Sequence, residues 1–380
     1  MSKAETSRNN ESFYLKKVYK RKLGGSLEFT TARLSYQVSF LIALLMIWKT
    51  VAGGFEPYMI ALAAVFAVEF VLQYYIAGRI RKEVISSEEG ISDHTRKLGY
   101  LLLPFVVTGN FFIFIAGAML AKKEKNLEYQ LAIYSLLVTI FVILVSSLNL
   151  FKEWVVSTFW LGIGLYALYA VLNFVILLAV NKYTFGKKPD KKFMPFAVIC
   201  LLGICLGNVF AFMLGLITIG KYRNKNEEVS VEWIDVIKRL FRNYTAVIGM
   251  FLVVFFITIS IGSNLTFDYE SAISNNFMAR LAEPSLQYPF GCDDYGRCVF
   301  TRIVFGARIS LIIGMISTIV PIICGGILGS VAGYYGGKTD NTIMRFMDVL
   351  NAVPSILLAI AIIAAFGVST VNLILALSVS

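Results

Sequence analysis

The chain has 380 residues, of which 57% are hydrophobic and only 16% charged, and its mean hydropathy is +0.72. These values exclude an ordinary soluble domain and place the chain in a bilayer. The net charge of +11 is spread between apolar runs rather than along one face, so it reads as a positive-inside bias and not as a nucleic-acid surface.

A membrane helix needs about 20 apolar residues to cross a hydrocarbon core of roughly 30 Å. Runs of that kind lie near 36–53, 57–78, 99–121, 128–150, 154–181, 194–220, 245–263, 309–333 and 350–366, and another begins near 369. The fold class expected is therefore an all-α polytopic membrane protein of about nine full transmembrane helices and a truncated tenth. About 34 residues rich in Lys and Arg precede the first run, with no small-residue cleavage pattern, so it is not a removable signal. With a cytoplasmic N-terminus, the inner segments of the first six spans carry 20 Lys and Arg against 8 in the outer ones. The outer "KYTFGKKPDKK" works against this orientation, and points to an error somewhere among spans three to five.

The first 220 residues hold few polar groups inside the apolar runs: Glu69, Asn110, Asn173 and Asn208. An intramembrane Glu is a functional candidate because its ionised form is costly there. The simpler reading is a carboxyl protonated or hydrogen-bonded within the helix bundle. Lys49 lies near the end of its run and is expected to snorkel. Cys200, Cys205 and Cys324 fall in apolar runs and behave as small hydrophobes. With one His in the chain, His94, no zinc, metal or catalytic constellation is expected, and no cofactor.

Residues 221–244 form a basic divider. Val231, Ile234, Val236, Ile237, Leu240 and Phe241 make a helical apolar stripe beside Lys238, Arg239 and Arg242, which predicts an amphipathic helix on the cytoplasmic face. The expected organisation is a membrane region over 1–220, this linker, and a second membrane region over 245–380.

Two apparent nucleotide motifs are decoys. "GYYGGKTD" at 333–340 lacks the leading glycine of a phosphate loop, since position 332 is Ala, and "GIGLYA" at 162–167 has no strand context. No enzyme is visible in the chain.

The second region is more informative. "YPFGCDDYGRCVFTRIVFGAR" at 288–308 concentrates glycines, carboxylates and arginines in an otherwise apolar chain. Its first half suits a turn and its second half has a helical period, so it reads as a turn and a short interfacial helix. Gly325, Gly329 and Gly333 recur every four residues and line one helix face for close packing. Pro321 is expected to loosen that helix. Further on, Asp340 is the expected N-cap of a helix, Arg345 and Asp348 share one of its sides, and Pro354 should bend it.

Taken together, "PFGCDDYGRCVFTRIVFGARISLIIG", "GYYGGKTDNTIMRFMD" and "PSILLAIAIIAAFG" resemble the C-type permease subunit of bacterial dipeptide, oligopeptide and nickel ABC importers. The resemblance covers about 235–380. It implies a type I importer permease fold in the bacterial inner membrane. It also implies these partners: a homologous second permease, two ATP-binding subunits, an extracytoplasmic substrate-binding protein and the lipid bilayer. By position, Gly291, Asp293, Asp294, Gly296, Arg297, Arg302, Gly306 and Arg308 match the family's outward motif, and Gly336, Gly337, Asp340, Arg345, Asp348 and Pro354 its cytoplasmic one. Cys292 and Cys298 replace the usual Thr and Asp, the first six spans are no part of the family core, and the chain stops before the loop that docks on the ATPases. The expected function is half of a translocation pathway for peptides or similar solutes. The alternative is a truncated or non-transporting membrane protein with a sensory or assembly role for the first six spans.

Overall fold

The computed structural model describes residues 17–19, 22–53, 57–86, 90–123, 126–152, 155–184, 189–223, 236–237, 239–241 and 243–379. Among them every named element is helical, and six helices are long and apolar enough to cross a membrane, or seven spans if one bent pair is counted. The chain forms two compact units, the first of 1–147 and 160–258, the second of 148–159 and 259–380. Most of the amphipathic stripe expected over 231–242 lies outside the described residues, as does the Lys49 side chain.

In the first unit α1 (Leu27–Gly53) and α2 (Pro57–Ser86) form an antiparallel pair. Then α3 (Asp93–Lys97) leads into a 3-10 helix, Leu98–Thr108, which ends at Gly109 and is followed by α4 (Phe111–Ala121). Here the structure departs from the expected third span. Gly109 takes φ +80°, a left-handed conformation that glycine adopts without steric penalty, and the chain turns back on itself there. Both ends of the segment therefore meet. Arg96 Nη1 donates to the carbonyl of Lys122 at 2.8 Å, and a Cβ built on Gly99 would lie 2.5 Å from the carbonyl oxygen of Gly117. At a rise of about 2 Å per residue in the 3-10 limb and 1.5 Å in the helix, each limb reaches only about 16 to 22 Å. The segment is a re-entrant hairpin.

The same plan follows in α5 (Leu127–Ser147), α6 (Phe159–Tyr183), and a second hairpin of α7 (Met194–Leu202), a 3-10 turn and α8 (Val209–Arg223). Gly207 sits at its tip with φ +79°, and a Cβ on Gly215 would lie 2.7 Å from the carbonyl oxygen of Ala197. The expected sixth span, 194–220, is thus also a hairpin.

These parallels reflect an internal repeat that the length and position of the apolar runs do not reveal. At an offset of 100 residues, Leu27, Glu28, Ala32, Ser35, Val38 and Leu44 meet Leu127, Glu128, Ala132, Ser135, Val138 and Leu144. At an offset of 98, Gly109, Asn110, Phe112, Phe114 and Gly117 meet Gly207, Asn208, Phe210, Phe212 and Gly215. Even the caps correspond: Ser26 Oγ accepts from the N–H of Phe29, and Asn126 Oδ1 from that of Tyr129.

Each repeat consists of two long helices and one hairpin, so it starts and finishes at the same end of the unit. The Glu28–Arg96 ion pair, the Glu128–Lys221 ion pair and the bonds from Asn126 to Thr184 all lie at that end. Among the described residues before 245, every Lys and Arg except Lys49 and Lys152 falls in segments that open or close there. Two hairpins in place of two spans remove the objection posed by "KYTFGKKPDKK".

The second unit contains the end of α9 (Tyr244–Thr266), the short α10 (Glu270–Ile273), a long turn region, and α11 (Val299–Tyr335). At 37 residues α11 is about 55 Å long, well beyond a hydrocarbon core. The expected interfacial helix is its first turns, and α11 is continuous through Pro321. Gly336 and Gly337, with φ +56° and +50°, separate it from α12 (Gly337–Ala352). Because α12 begins at Gly337 with Gly336 as its cap, Asp340 sits inside the first turn and is not the N-cap. Pro354 then caps α13 (Ser355–Phe366), and α12 and α13 are bent by 86°. The last helix is α14 (Thr370–Val379), which packs on α11 and α13.

Candidate functional site

The 288–308 segment is built around Asp293. Its Oδ1 accepts from the backbone N–H groups of Tyr295 and Arg297, at 3.0 and 2.9 Å. Its Oδ2 takes the Arg297 guanidinium at 2.8 Å and pairs with Arg302 on the first turn of α11. Partial burial opposes ionisation. The hydrogen bonds from the backbone of Arg297 and Tyr295 and the Arg297 guanidinium outweigh it, and the carboxyl is held at about 2. Arg297 also stacks over the ring of Tyr295 at 4.6 Å.

Two glycines let the chain pass this close. Gly291 and Gly296 take φ +71° and +75°. A Cβ on Gly296 would fall 1.6 Å from the carbonyl oxygen of Asn276, and one on Gly291 2.5 Å from that of Ala282. The backbone bonds Leu281 N–H to Asp293, Asn276 N–H to Tyr295 and Cys292 N–H to Ala282 tie the turn to the segment before it.

Cys292 and Cys298 face one another across an isolated antiparallel bridge, buried and as free thiols. The N–H of Asp293 bonds the carbonyl of Arg297, and that of Val299 the carbonyl of Gly291, so the cysteines form a non-hydrogen-bonded pair. Burial, and then Cys298 and Asp293, push the Cys292 thiol up to about 11. Lys152 Nζ donates to Thr301 Oγ1 at 2.8 Å, and burial lowers its pKa.

The remaining motif residues divide into two groups. Arg308 Nη1 donates to Asn264 Oδ1 at 2.6 Å, which joins α11 to α9. Asp294 is exposed and makes none of these bonds, and Gly306 borders open space. Gly325, Gly329 and Gly333 lie on exposed turns of α11, where an added Cβ would meet nothing within 4 Å. Arg345 and Asp348 are both exposed on α12, and no ion pair joins them. The structure therefore unites Asp293, Arg297, Arg302, Gly291 and Gly296 in one turn, and leaves the glycine face and the α12 pair open to whatever lies outside this chain.

A second polar centre lies in the first unit. Glu69 is fully buried and accepts from Thr108 Oγ1 at 2.7 Å, Asn110 Nδ2 at 2.7 Å and Ser39 Oγ at 3.4 Å. Asn110 Nδ2 also donates to Ser39 Oγ at 2.8 Å. Two of the four polar candidates read from sequence, Glu69 and Asn110, thus meet at the tip of the first hairpin. The other two meet at the second: Asn208 Nδ2 donates to Thr139 Oγ1 and the Ser135 carbonyl, and Asn173 Nδ2 to Thr139 Oγ1. Ser35, Ser39, Gln73 and Thr108 were not read as site residues. The Gly-Asn repeat and the Ser35/Ser39 against Ser135/Thr139 register were the signals available for them.

Comparison with known proteins gives two matched segments. Residues 232–284 match the N-terminal transmembrane domain of oligopeptide transport permease C, and 325–380 the binding-protein-dependent transport system inner membrane component. A dipeptide transport system permease of Alkalihalophilus pseudofirmus is 42% identical over 147 residues, 39% of this chain and 48% of that protein. A glutathione transport system permease of Pectobacterium atrosepticum is 35% identical over 155 residues, 41% of this chain and 52% of the relative. An oligopeptide transport system permease of Bacillus subtilis is 34% identical over 148 residues, 39% and 48% of the two chains. The chain thus spans about half the length of the curated relatives it matches. No solved structure matches. The resemblance read from the motifs is borne out: the carboxy-terminal part of this chain resembles the C-type permease of ABC peptide importers.

Proposed function

We propose that this protein is the permease subunit of an ABC importer, and that its second unit supplies half of a translocation pathway for peptides or similar small solutes. The observation that carries this reading is the order of features within 232–380: two matched family segments flank a turn in which Asp293, Arg297 and Arg302 are ion-paired. ATP is hydrolysed by two separate subunits on the cytoplasmic side. A homologous permease packs on the open face of Gly325, Gly329 and Gly333, and an extracytoplasmic binding protein delivers the solute.

The positive-inside rule orients the chain with the basic end of the first unit in the cytoplasm. From there α9 crosses outward, so the Asp293 turn is extracytoplasmic, and α11 returns. Gly336, Gly337, Asp340, Arg345, Asp348 and Pro354 then lie on the cytoplasmic side. In this arrangement the Asp293 turn is a rigid outer surface at the head of α11 for the partner or the binding protein. Affinity purification of the tagged chain from its native membrane tests the assignment. Recovery of a second permease and ATP-binding subunits is expected, and recovery of neither from an intact membrane extract overturns it.

A further inference from the structure

The two repeats of the first unit carry corresponding polar centres of different composition. At the second hairpin, Ser135 Oγ donates to Asn173 Oδ1 at 2.7 Å, Asn173 Nδ2 to the Tyr169 carbonyl at 3.1 Å, and Asn208 Oδ1 accepts the N–H of Ala211 at 3.1 Å. This centre is neutral: the side chains of Ser135, Thr139, Asn173 and Asn208 are all hydrogen-bonded, while the buried Tyr169 hydroxyl has no hydrogen-bond partner within the protein. It shows what the hairpin needs in order to dock.

At the first hairpin the corresponding positions are Ser35, Glu69, Gln73 and Asn110. Glu69 brings a carboxylate that the fold does not require, since Tyr169 occupies the equivalent place in the other repeat. Around it Ser35 Oγ, both polar atoms of the Gln73 side chain and Asn110 Oδ1 have no hydrogen-bond partner within the protein, although Ser35 and Gln73 are fully buried and Asn110 is 2% exposed. Orphaned buried polar atoms are costly and uncommon. Four such atoms on one cluster, against one at the corresponding place in the other repeat, surround a carboxylate that has hydrogen bonds but no basic partner among the described residues.

The geometry narrows what that is. Ser39 meets Glu69, and one turn along the antiparallel pair Ser35 comes level with Gln73, which stacks the two pairs of side chains. In the same register the buried Ala32 and Ile76 lie about one turn to one side of the stack, and the buried Ala43 and Phe66 about one turn to the other. From α1 the facing groups are Ser35 and Ser39, and from the hairpin Thr108 and Asn110. Among the described residues no basic side chain pairs with Glu69. Arg33 of α1 is exposed, and the Glu28–Arg96 pair lies at the bundle end, about 16 Å along α1 from Ser39. One negative charge, hydroxyl and amide oxygens and apolar residues on either side suit a single small, hard cation.

We propose that this cluster is a binding site for one monovalent cation, either a proton on the Glu69 carboxyl or a sodium ion held by Glu69 with the oxygens of Ser35, Gln73 and Asn110. The site makes the first unit an ion-binding module. It lies outside 232–380, so its failure leaves the permease reading untouched.

Dicyclohexylcarbodiimide, which modifies protonated carboxyls in apolar surroundings, tests this on the purified full chain in lipid nanodiscs. Peptide mass spectrometry is expected to find one adduct within the bundle, at Glu69, that is absent from Glu69→Gln. In a sodium-free buffer the yield should fall about tenfold per pH unit above its midpoint. Protection by sodium but not by an equal potassium concentration identifies the sodium ion, and a pH response without sodium protection identifies the proton. Gln73→Ala and Asn110→Ala should shift the midpoint. An absent Glu69 adduct, a yield indifferent to both pH and sodium, or a midpoint unmoved in both variants overturns the proposal.

Discussion

At Asp293 two backbone N–H groups and two guanidinium groups converge on one carboxylate, and the result has a defined pH signature. The folded pKa, about 2, lies below the ordinary 3.8, so folding favours the ionised form. The stabilisation is present in full above the ordinary value and is lost as the pH falls from about 4 towards 2. Hydrogen exchange at the amides of Tyr295 and Arg297 should therefore rise on acidification in that window. Asp293→Asn should show the same loosening at neutral pH, because the amide keeps its shape but gives up the charge that holds both arginines.

The cysteine pair leads to a second residue-scale prediction. Cβ atoms of a non-hydrogen-bonded antiparallel pair come close enough to bridge. Mild oxidation should join Cys292 to Cys298 with loss of two hydrogens to the oxidant, read by intact mass. Non-reducing peptide mapping that finds both thiols free after oxidation would contradict the pairing. The buried, high-pKa Cys292 is for the same reason a poor target for thiol labels, and Met278, 98% exposed, is the better reporter.

At the scale of elements, glycine plays two roles that spacing alone does not separate. Gly296 is fixed by its backbone conformation and by the carbonyl of Asn276, so Gly296→Ala should disrupt the turn and lower thermal stability by more than the roughly 1 kcal/mol of a simple left-handed strain. Gly325 and Gly329 border open space. Gly325→Leu and Gly329→Leu should leave the melting temperature of the isolated chain nearly unchanged, yet weaken recovery of a second permease. A large loss of stability in the isolated chain would show that the face is filled from within. The hairpins make the same point. Run length read 99–121 and 194–220 as spans because both are apolar throughout, and hydropathy does not register the reversal at Gly109 and Gly207. The Gly-Asn pair in the middle of each run was the only local sign.

For the whole molecule, the hairpins change the topology. With two spans per repeat, the segments after 121 and after 183 lie on the side of the N-terminus, whereas the nine-span reading puts both outside. In a background with Cys205 and Cys324 replaced by Ser, an impermeant maleimide applied to intact cells should label Met278→Cys and spare Lys123→Cys and Lys192→Cys, which should react only after permeabilisation. Labelling of Lys123→Cys or Lys192→Cys from outside would restore the extra crossings.

What the amino-acid sequence determined by itself was the membrane class, the all-helical fold and the family likeness of the carboxy-terminal part. These follow from composition, run length and ordered local patterns, each readable within a few tens of residues. Which apolar runs cross and which turn back was decided only in three dimensions, because a buried hairpin and a span have the same hydropathy and differ in what their tips touch. The convergence of Ser39, Glu69, Thr108 and Asn110 was decided there too. Those residues come from three separate segments, and no local pattern tells a buried carboxyl that is fully paired from one that is surrounded by unpartnered polar atoms.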